Sequence, residues 1–425
     1  MHDAAVAVAR VLLDAGYESY FAGGCVRDRL LGGVPDDYDI ATAARPDDVR
    51  RLFPKAQGVG ESFGVMLVRH GGHEFEIATF RNDGEYADGR RPNDVRFSDA
   101  REDAFRRDFT INGLFEEPST GRVVDFVDGQ SDLTNRVIRA IGNPNDRFAE
   151  DHLRLLRGVR FAARFGFALE TATAAAMREH AGKLAVIARE RIGGEVRRML
   201  EHPTRVAAVQ LLEEQGLDAP TLREPARVSP SLARLVRLEG AVAGDLSDVG
   251  LLDRTVPVAA ALAAWALDRH GPNVGESVIH GWREALLLSN RESVETLATL
   301  AALARVRHWS ELRESARKRW AASPMASWAQ TLFAVESPCG ADNLVRWRRQ
   351  TDPATIAPPP LLTGDHLIRA GFAPGPQFRE LLDAAYDAQL EGRVGNAADA
   401  LELVRSSAGG PSESTANPRP DPSQG

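Results

Sequence analysis

The chain holds 425 residues, 43% hydrophobic and 26% charged, with 52 Lys/Arg against 60 Asp/Glu for a net charge of −8. This composition excludes fibrous and wholly disordered chains, and the acidity excludes a uniformly basic nucleic-acid coat, so any contact with RNA or DNA must come from a local patch. Two cysteines, Cys25 and Cys339, exclude a disulfide scaffold and a multi-cysteine zinc site and fit a reducing, cytoplasmic setting. No apolar run is long enough for a membrane span, and Met1-His2-Asp3-Ala4 lacks the basic flank of a leader peptide.

Residues 1–145 read as mixed α/β. Periodicity predicts a helix over Ala4–Ala15, a strand over Ser19–Ala22 that ends in Gly23-Gly24, and a short helix over Val26–Leu31. A second strand is expected over Asp37–Ala41, a helix over Pro46–Phe53, and strands at Phe63–Val68 and Glu74–Phe80 around a slightly long loop, His70-Gly-Gly-His73. Val123–Val127 is a further strand. Beyond Asn143-Pro144 the apolar spacing turns to three and four residues, and residues 147–350 read as a helical array. Pro358-Pro359-Pro360 marks a linker or sharp turn, helices are expected at Gly364–Ala370, Pro376–Glu391 and about Asn396–Arg405, and Ser406–Gly425 reads as a disordered tail. A basic patch lies within Thr134–Arg205, with fourteen Lys/Arg against eight Asp/Glu.

Four clusters carry candidate chemistry. In Gly23-Gly24-Cys-Val-Arg27-Asp28, a strand delivers the chain to two residues without Cβ atoms, where backbone can approach a ligand and turn into a helix whose first N–H groups suit a triphosphate. Arg27 can add a bidentate contact. Asp37 and Asp39, two apart on the expected next strand, share a face and can hold one or two Mg²⁺ ions for an in-line displacement. Taken singly, a Gly-Gly pair is an ordinary turn and Asp-x-Asp an ordinary solvated loop; their order within about 20 residues is what is specific. Glu76, with Glu74 as its alternation partner, offers a third acid, and Glu76 is the preferred one.

Residues 81–92, charged and with two glycines, read as a mobile loop. In Arg106-Arg107-Asp108-Phe-Thr-Ile-Asn112, the arginines can pair with phosphates, Asp108 can accept from a ribose hydroxyl, and Asn112 can cap or orient the loop. Asp151, Arg154, Arg157 and Arg160 recur every three residues and fall on one slowly drifting helix face. One acceptor beside one planar donor fork can read the edge of a base; the same pattern also suits a salt-bridged surface helix. A fifth segment, Arg189-Glu-Arg191-Ile-Gly-Gly-Glu195, reads by default as a structural helix, with bracing of the arginines as the functional alternative.

The ordered set Gly-Gly-x-Val-Arg-Asp, Asp-x-Asp, Arg-Arg-Asp-Phe-Thr-Ile-Asn, Glu-Asp-x-Leu-Arg and Glu-Arg-Ile resembles the class II tRNA nucleotidyltransferase and bacterial poly(A) polymerase family, over Phe21–Glu195. The segments around Thr363-Gly-Asp-His and Pro374-Gly-Pro376 resemble its tail region. The resemblance implies an α+β chain: a polymerase-β-like nucleotidyltransferase head at 1–145, then an all-α neck at 146–220, body at 221–350 and RNA-contacting tail at 351–405. It implies Mg²⁺-dependent, template-independent addition of CCA to tRNA 3′ ends from CTP and ATP, with no protein partner inferable. By position, Asp37 and Asp39 are implied as metal ligands and catalytic residues, with Arg107 as a further catalytic residue. Gly24, Arg27 and Arg107 are implied at the nucleotide phosphates, Asp151 and Arg154 at the incoming base, and Arg157 and Arg160 beside the nucleotide. The departures are Tyr38 in an aliphatic position, Gly113 in an alanine position, and Gly193-Gly194, expected to loosen its helix. An A-adding enzyme or poly(A) polymerase is the nearest alternative outcome; the 81–92 loop, which the family's CC-only members tend to lack, argues against a CC-only enzyme and does not separate CCA addition from poly(A) synthesis. An RNA-binding protein without catalysis is the alternative of another class.

Overall fold

A computed structural model of the chain describes residues 1–60, 64–83, 95–243 and 255–407. The expected loop at 81–92 and tail at 406–425 fall mostly outside these residues. Two compact units emerge, one from residues 1–236 and 256–293 and the other from 237–255 and 294–425.

In the first unit, α1 (His2–Asp14) precedes β1 (Ser19–Ala22), α2 (Gly24–Leu30), β2 (Ile40–Thr42), α3 (Pro46–Leu52), β3 (Gln57–Gly60), β4 (Val65–His70) and β5 (His73–Thr79). A ribbon of β6 (Arg81–Asp83) and β7 (Val95–Phe97) leads to α4 (Ala100–Phe105), β8 (Leu114–Glu116), β9 (Val123–Asp125) and α5 (Gly129–Asn135). Seven strands form a mixed sheet in the order β3-β4-β5-β2-β1-β8-β9, with β2 and β5 parallel. Alternation assigns the faces. Phe21, Ile40, Phe75 and Ile77 are buried with Val8 and Leu12 of α1, whose buried positions keep three- and four-residue spacing. Ala22, Ala41, Phe80 and Phe115 form another core with Ala100 and Ala104 of α4.

Three local expectations change. The second strand begins at Ile40, so Asp37 and Asp39 lie in the extended approach to it. The Ala22 N–H still donates to the Asp39 carbonyl at 3.0 Å, which places Asp39 beside the end of β1. The β4–β5 connection is a two-residue turn rather than a longer loop: His70 pairs with His73, and Gly71 and Gly72 take φ of +58° and +79°, the left-handed pair that matches hairpin twist. The last helix of the chain runs on to Ser407.

After β9 the described residues of the first unit are helical apart from the connecting turns and a two-residue pairing of β10 (Val137–Ile138) with β11 (Ala168–Leu169). Here lie α6 (Pro144–Glu150), α7 (Arg154–Phe165), α8 (Thr171–His180), α9 (Arg189–Glu201), α10 (Arg205–Glu214) and α11 (Asp218–Leu222). The unit boundaries fall within α12 (Ala233–Ala243) and α15 (Asn290–Val306), and between those two lie α13 (Val258–His270) and α14 (Glu276–Leu286). Gly193 is fixed by packing: a Cβ there would stand 1.9 Å from the Leu286 carbonyl oxygen. Its role is to let α9 and α14 close together, and it does not loosen the helix. Gly113 is similar, since a Cβ would meet Val127 Cγ2 at 2.7 Å. Tyr38 is buried against Phe21, with His2 Nδ1 at 3.2 Å from its hydroxyl.

The second unit is wholly helical among the described residues: α16 (Glu314–Ala321), α17 (Ala326–Glu336), α18 (Pro338–Gln350), α19 (Gly364–Arg369), α20 (Gln377–Leu390) and α21 (Ala397–Ser407). Leu362, Leu367, Ala385, Ala388, Ala400 and Val404 form its last core. No described helix is long and apolar enough to cross a membrane.

Candidate active site

A cleft of about 600 Å³ opens in the first unit, and it is lined by Gly24, Arg27, Asp37, Asp39, Arg107, Asp151, Arg154, Arg157 and Arg160, whereas Glu76, the expected third acid, is not among its lining residues. One wall is the turn from β1 into α2. Gly23 takes φ +71°, and a Cβ there would stand 2.8 Å from Arg107 Nη1; only glycine allows both the turn and the close arginine. Arg27 is buried, with its Nε 2.8 Å from Asp28 and its Nη1 2.5 Å from Asn112 Oδ1. Its guanidinium lies 4.6 Å over the Phe165 ring.

Asp37 and Asp39 form the acidic side of the cleft, and among the described residues neither has an ion-pair partner. Asp39 meets solvent in the cleft. Even so, the surrounding protein, then Asp37 and Glu76, push its carboxyl up to about 6, with Arg107 acting against them. Cys25 beneath is pushed to about 12 by burial and by Asp39. Glu76 is exposed on β5 and acts on Asp39 through its charge, while Glu74 pairs across the hairpin with Arg69 at 2.6 Å. No group of three or more His, Cys, Asp or Glu suited to a metal occurs among the described residues.

The opposite wall is cationic. Asp103, 1% exposed on α4, takes Arg106 at 2.7 Å and Arg107 at 3.0 Å. The sequence reading missed Asp103; the available signal was its position one helical turn before Arg106-Arg107. Asp108 accepts from its neighbour's Phe109 N–H, from Asn112 Nδ2 at 3.0 Å and from Arg157 at 2.6 Å. Burial opposes its charge, yet Arg157 and Asn112 hold it down to about 2. Asp108 is therefore committed to the protein's own donors.

The helix that carries the arginine series differs from expectation. α7 starts at Arg154, and Asp151 sits in an extended turn after α6, where its Oδ1 accepts the Leu153 N–H at 3.0 Å. A carboxylate that caps the turn interrupts the helix, so Asp151 approaches the cleft from a different element than the arginines. Its Oδ2 takes Arg191 at 2.7 Å. Arg154 turns its Nη1 to Glu150 at 2.6 Å and to the Arg147 carbonyl, and its Nη2 to the Arg106 carbonyl at 2.9 Å. Arg160 meets the buried Glu195 at 2.6 Å, and Arg198 meets the same carboxylate at 2.8 Å. Bracing from α9 is thus present through Arg191 and Glu195, while Arg189 donates to the Ala285, Pro220 and Thr221 carbonyls as a structural residue. Under the arginines lies Phe161, with the guanidinium carbons of Arg160, Arg157 and Arg27 at 4.3, 5.2 and 5.4 Å from its ring centre. A buried ring face that attracts three cations fixes their positions at little entropic cost.

Residues 19–139 match the family described as the Poly A polymerase head domain, and residues 166–227 the one described as a probable RNA and SrmB-binding site of polymerase A. The chain is 34% identical to the CCA-adding enzyme of Geobacillus stearothermophilus over 92% of its own length and 93% of that protein's. Against the CCA-adding enzyme of Oceanobacillus iheyensis it is 45% identical, the match covering 49% of this chain and about half, 52%, of the relative. Its fold is similar to a crystal structure of the Bacillus stearothermophilus CCA-adding enzyme in complex with CTP, with a TM-score of 0.75, 30% identity, and 96% and 98% of the two chains covered.

Proposed function

Because the chain belongs to the CCA-adding enzyme family, we propose that it extends tRNA 3′ ends with C, C and A from CTP and ATP, without a nucleic-acid template. The observation that carries this reading is the cleft itself, which is lined by an acidic pair with no ion-pair partner among the described residues and by a row of braced arginines. In this reading the tRNA 3′-hydroxyl attacks the α-phosphorus of the nucleotide in line, and pyrophosphate leaves. Gly24, Arg27 and Arg107 bind the phosphates, Asp151 and Arg154 read the base, and Arg157 and Arg160 hold the nucleotide beside them. Positions fixed in advance by ion pairs lower the barrier through orientation and charge.

The donor set fits a divalent cation. Asp37 and Asp39 face one cleft and lack an ion-pair partner among the described residues, and burial, then the charges of Asp37 and Glu76, raise Asp39. These two would hold Mg²⁺, which supplies charge neutralisation at the phosphates and the attacking oxygen. The division into head at 1–145, neck at 146–220, body at 221–350 and tail at 351–405, and a cytoplasmic location, belong to the same proposal.

The test offers a tRNA transcript lacking its 3′ CCA to the protein with Mg²⁺. The expected products are two added residues with CTP alone, three with both nucleotides, and none with ATP alone. Long products from ATP alone make it a poly(A) polymerase, and addition of A only to transcripts ending in CC makes it an A-adding enzyme. No incorporation at all leaves an RNA-binding protein.

A further inference from the structure

A second, smaller cavity of about 130 Å³ lies along α7 where α9 gives way to α10. It shares Arg160 and Arg164 with the main cleft, while Arg198, His202 and Thr204, together with the apolar Ala163, Met199 and Ala208, line it alone. We propose that this pocket is a subsite for one backbone phosphate of the RNA 3′ strand, upstream of the hydroxyl that reacts. The inference rests on the nucleotidyltransferase reading above.

The charge count favours an anion. Arg160 and Arg198 share a single carboxylate, Glu195. Arg164 has Asp28 at 3.7 Å, and Asp28 is already held by Arg27 at 2.7 Å. Three guanidiniums therefore face the pocket with one carboxylate fully committed to them. Arg198 keeps 63% of its side chain exposed and Arg164 38%, so both retain donors for a ligand. His202 registers the same field: burial and then Arg164, Arg205 and Arg160 hold its imidazole below its ordinary value. Thr204 Oγ1 stands 2.8 Å from His202 Nδ1, adding a hydroxyl at the rim.

Size and position favour RNA over nucleotide. The pocket has room for one phosphate and a few waters and is far smaller than the cleft beside it. Arg198, His202 and Thr204 fall within residues 166–227, the stretch that matches the RNA-binding family model. A strand whose 3′ end lies in the cleft reaches this pocket over the shared arginines, Arg160 and Arg164.

Arg198→Ala provides the test, because Arg198 does not line the nucleotide cleft. Binding of a tRNA lacking CCA is followed by fluorescence anisotropy across a salt series, and KM for CTP is measured alongside. The expected result is a roughly tenfold weaker Kd for tRNA, a slope of log K against log salt lowered by about 0.7, and an unchanged KM for CTP. Arg198→Lys should recover most of the affinity. A neutral methylphosphonate, walked through the last linkages of the transcript, should weaken the wild-type protein at one position and leave Arg198→Ala indifferent there. An unchanged tRNA Kd with the same melting temperature overturns the subsite. So does a raised KM for CTP, or for pyrophosphate in the reverse reaction, at unchanged tRNA affinity, which assigns the pocket to nucleotide phosphates. Binding needs no turnover, so a wild-type protein that binds tRNA but adds nothing refutes the function and not the subsite.

Discussion

Replacing Asp39 by Asn should stabilise the protein while ending catalysis. Its carboxyl is raised from an ordinary 3.8 to about 6, by burial first and then by Asp37 and Glu76. Two pH units at roughly 1.4 kcal/mol each give an upper figure of about 3 kcal/mol against the ionised form. Asp39 faces water in the cleft, and screening reduces this to about 1–1.5 kcal/mol. The sign follows from linkage. A carboxyl whose folded value lies above its unfolded value opposes folding wherever it is ionised in both states, so the penalty is full above pH 6. As pH falls from 6 to 4 the folded protein takes up a proton that the unfolded chain does not, and the penalty fades.

Thermal melts in EDTA provide the assay. Asp39→Asn should melt above wild type at pH 7, by a margin that shrinks through pH 5 and vanishes near pH 4. Mg²⁺ should then raise the wild type and leave Asp39→Asn nearly unmoved, since a ligand stabilises only the form that binds it. A variant that melts at or below wild type at pH 7 without metal, or a margin indifferent to pH, refutes the idea of an uncompensated carboxylate pair.

Asp108 should behave in the opposite sense. It is held down to about 2, so its contribution of roughly 2 kcal/mol is complete above pH 4 and lost as pH falls toward 2; Asp108→Asn should melt lower at pH 7, with the gap closing in melts taken toward pH 3. Glu76→Gln removes a charge that raises Asp39, so the acid limb of the rate profile should move to lower pH with the plateau rate kept; a plateau lost by tenfold or more makes Glu76 a ligand. Arg154→Ala leaves Glu150 with Arg147 as its partner and removes the donor to two carbonyls, so it should lower the melting temperature and change KM for CTP and ATP unequally; unchanged discrimination removes Arg154 from the base-reading set.

The residues of the cleft were legible because their chemistry is local. The Gly23-Gly24 turn, the Asp37 and Asp39 pair and the arginine series each occupy a few consecutive positions, and order alone brought them to one cleft. The partners that hold them were hidden because they come from far along the chain: Asp108 to Arg157, Asp151 to Arg191 and Glu195 to Arg160 each join residues 35 or more apart. Such pairs are fixed by how α7 and the turn before it pack against α9 and against the segment that follows α4, which no periodicity records. The same holds for Gly193, a helix weakness by propensity that becomes a packing requirement once Leu286 lies against it. The end of α6 was hidden for a different reason, since Asp151 has helical neighbours on both sides and only its bond to the Leu153 N–H marks the break.

The pairing pattern carries a consequence for how the nucleotide arrives. Arg27, Arg107, Arg154, Arg157, Arg160 and Arg191 each have a carboxylate: Asp28, Asp103, Glu150, Asp108, Glu195 and Asp151. Asp103 also serves Arg106, Asp28 also lies near Arg164 and Glu195 also serves Arg198, so the arginine wall is braced but only partly neutralised, while Asp37 and Asp39 have no ion-pair partner among the described residues. A triphosphate entering alone meets the repulsion of this acidic pair across the cleft, which offsets part of the attraction of the arginines. A divalent cation shared between the phosphates and the two aspartates removes that repulsion. Calorimetry with CTP should therefore show affinity rising tenfold or more when Mg²⁺ replaces EDTA. Asp37→Asn should narrow that difference by strengthening the metal-free binding and weakening the metal-dependent part. Equal CTP affinity with and without Mg²⁺ in the wild type would place the net positive field at the phosphates and contradict the charge balance drawn here.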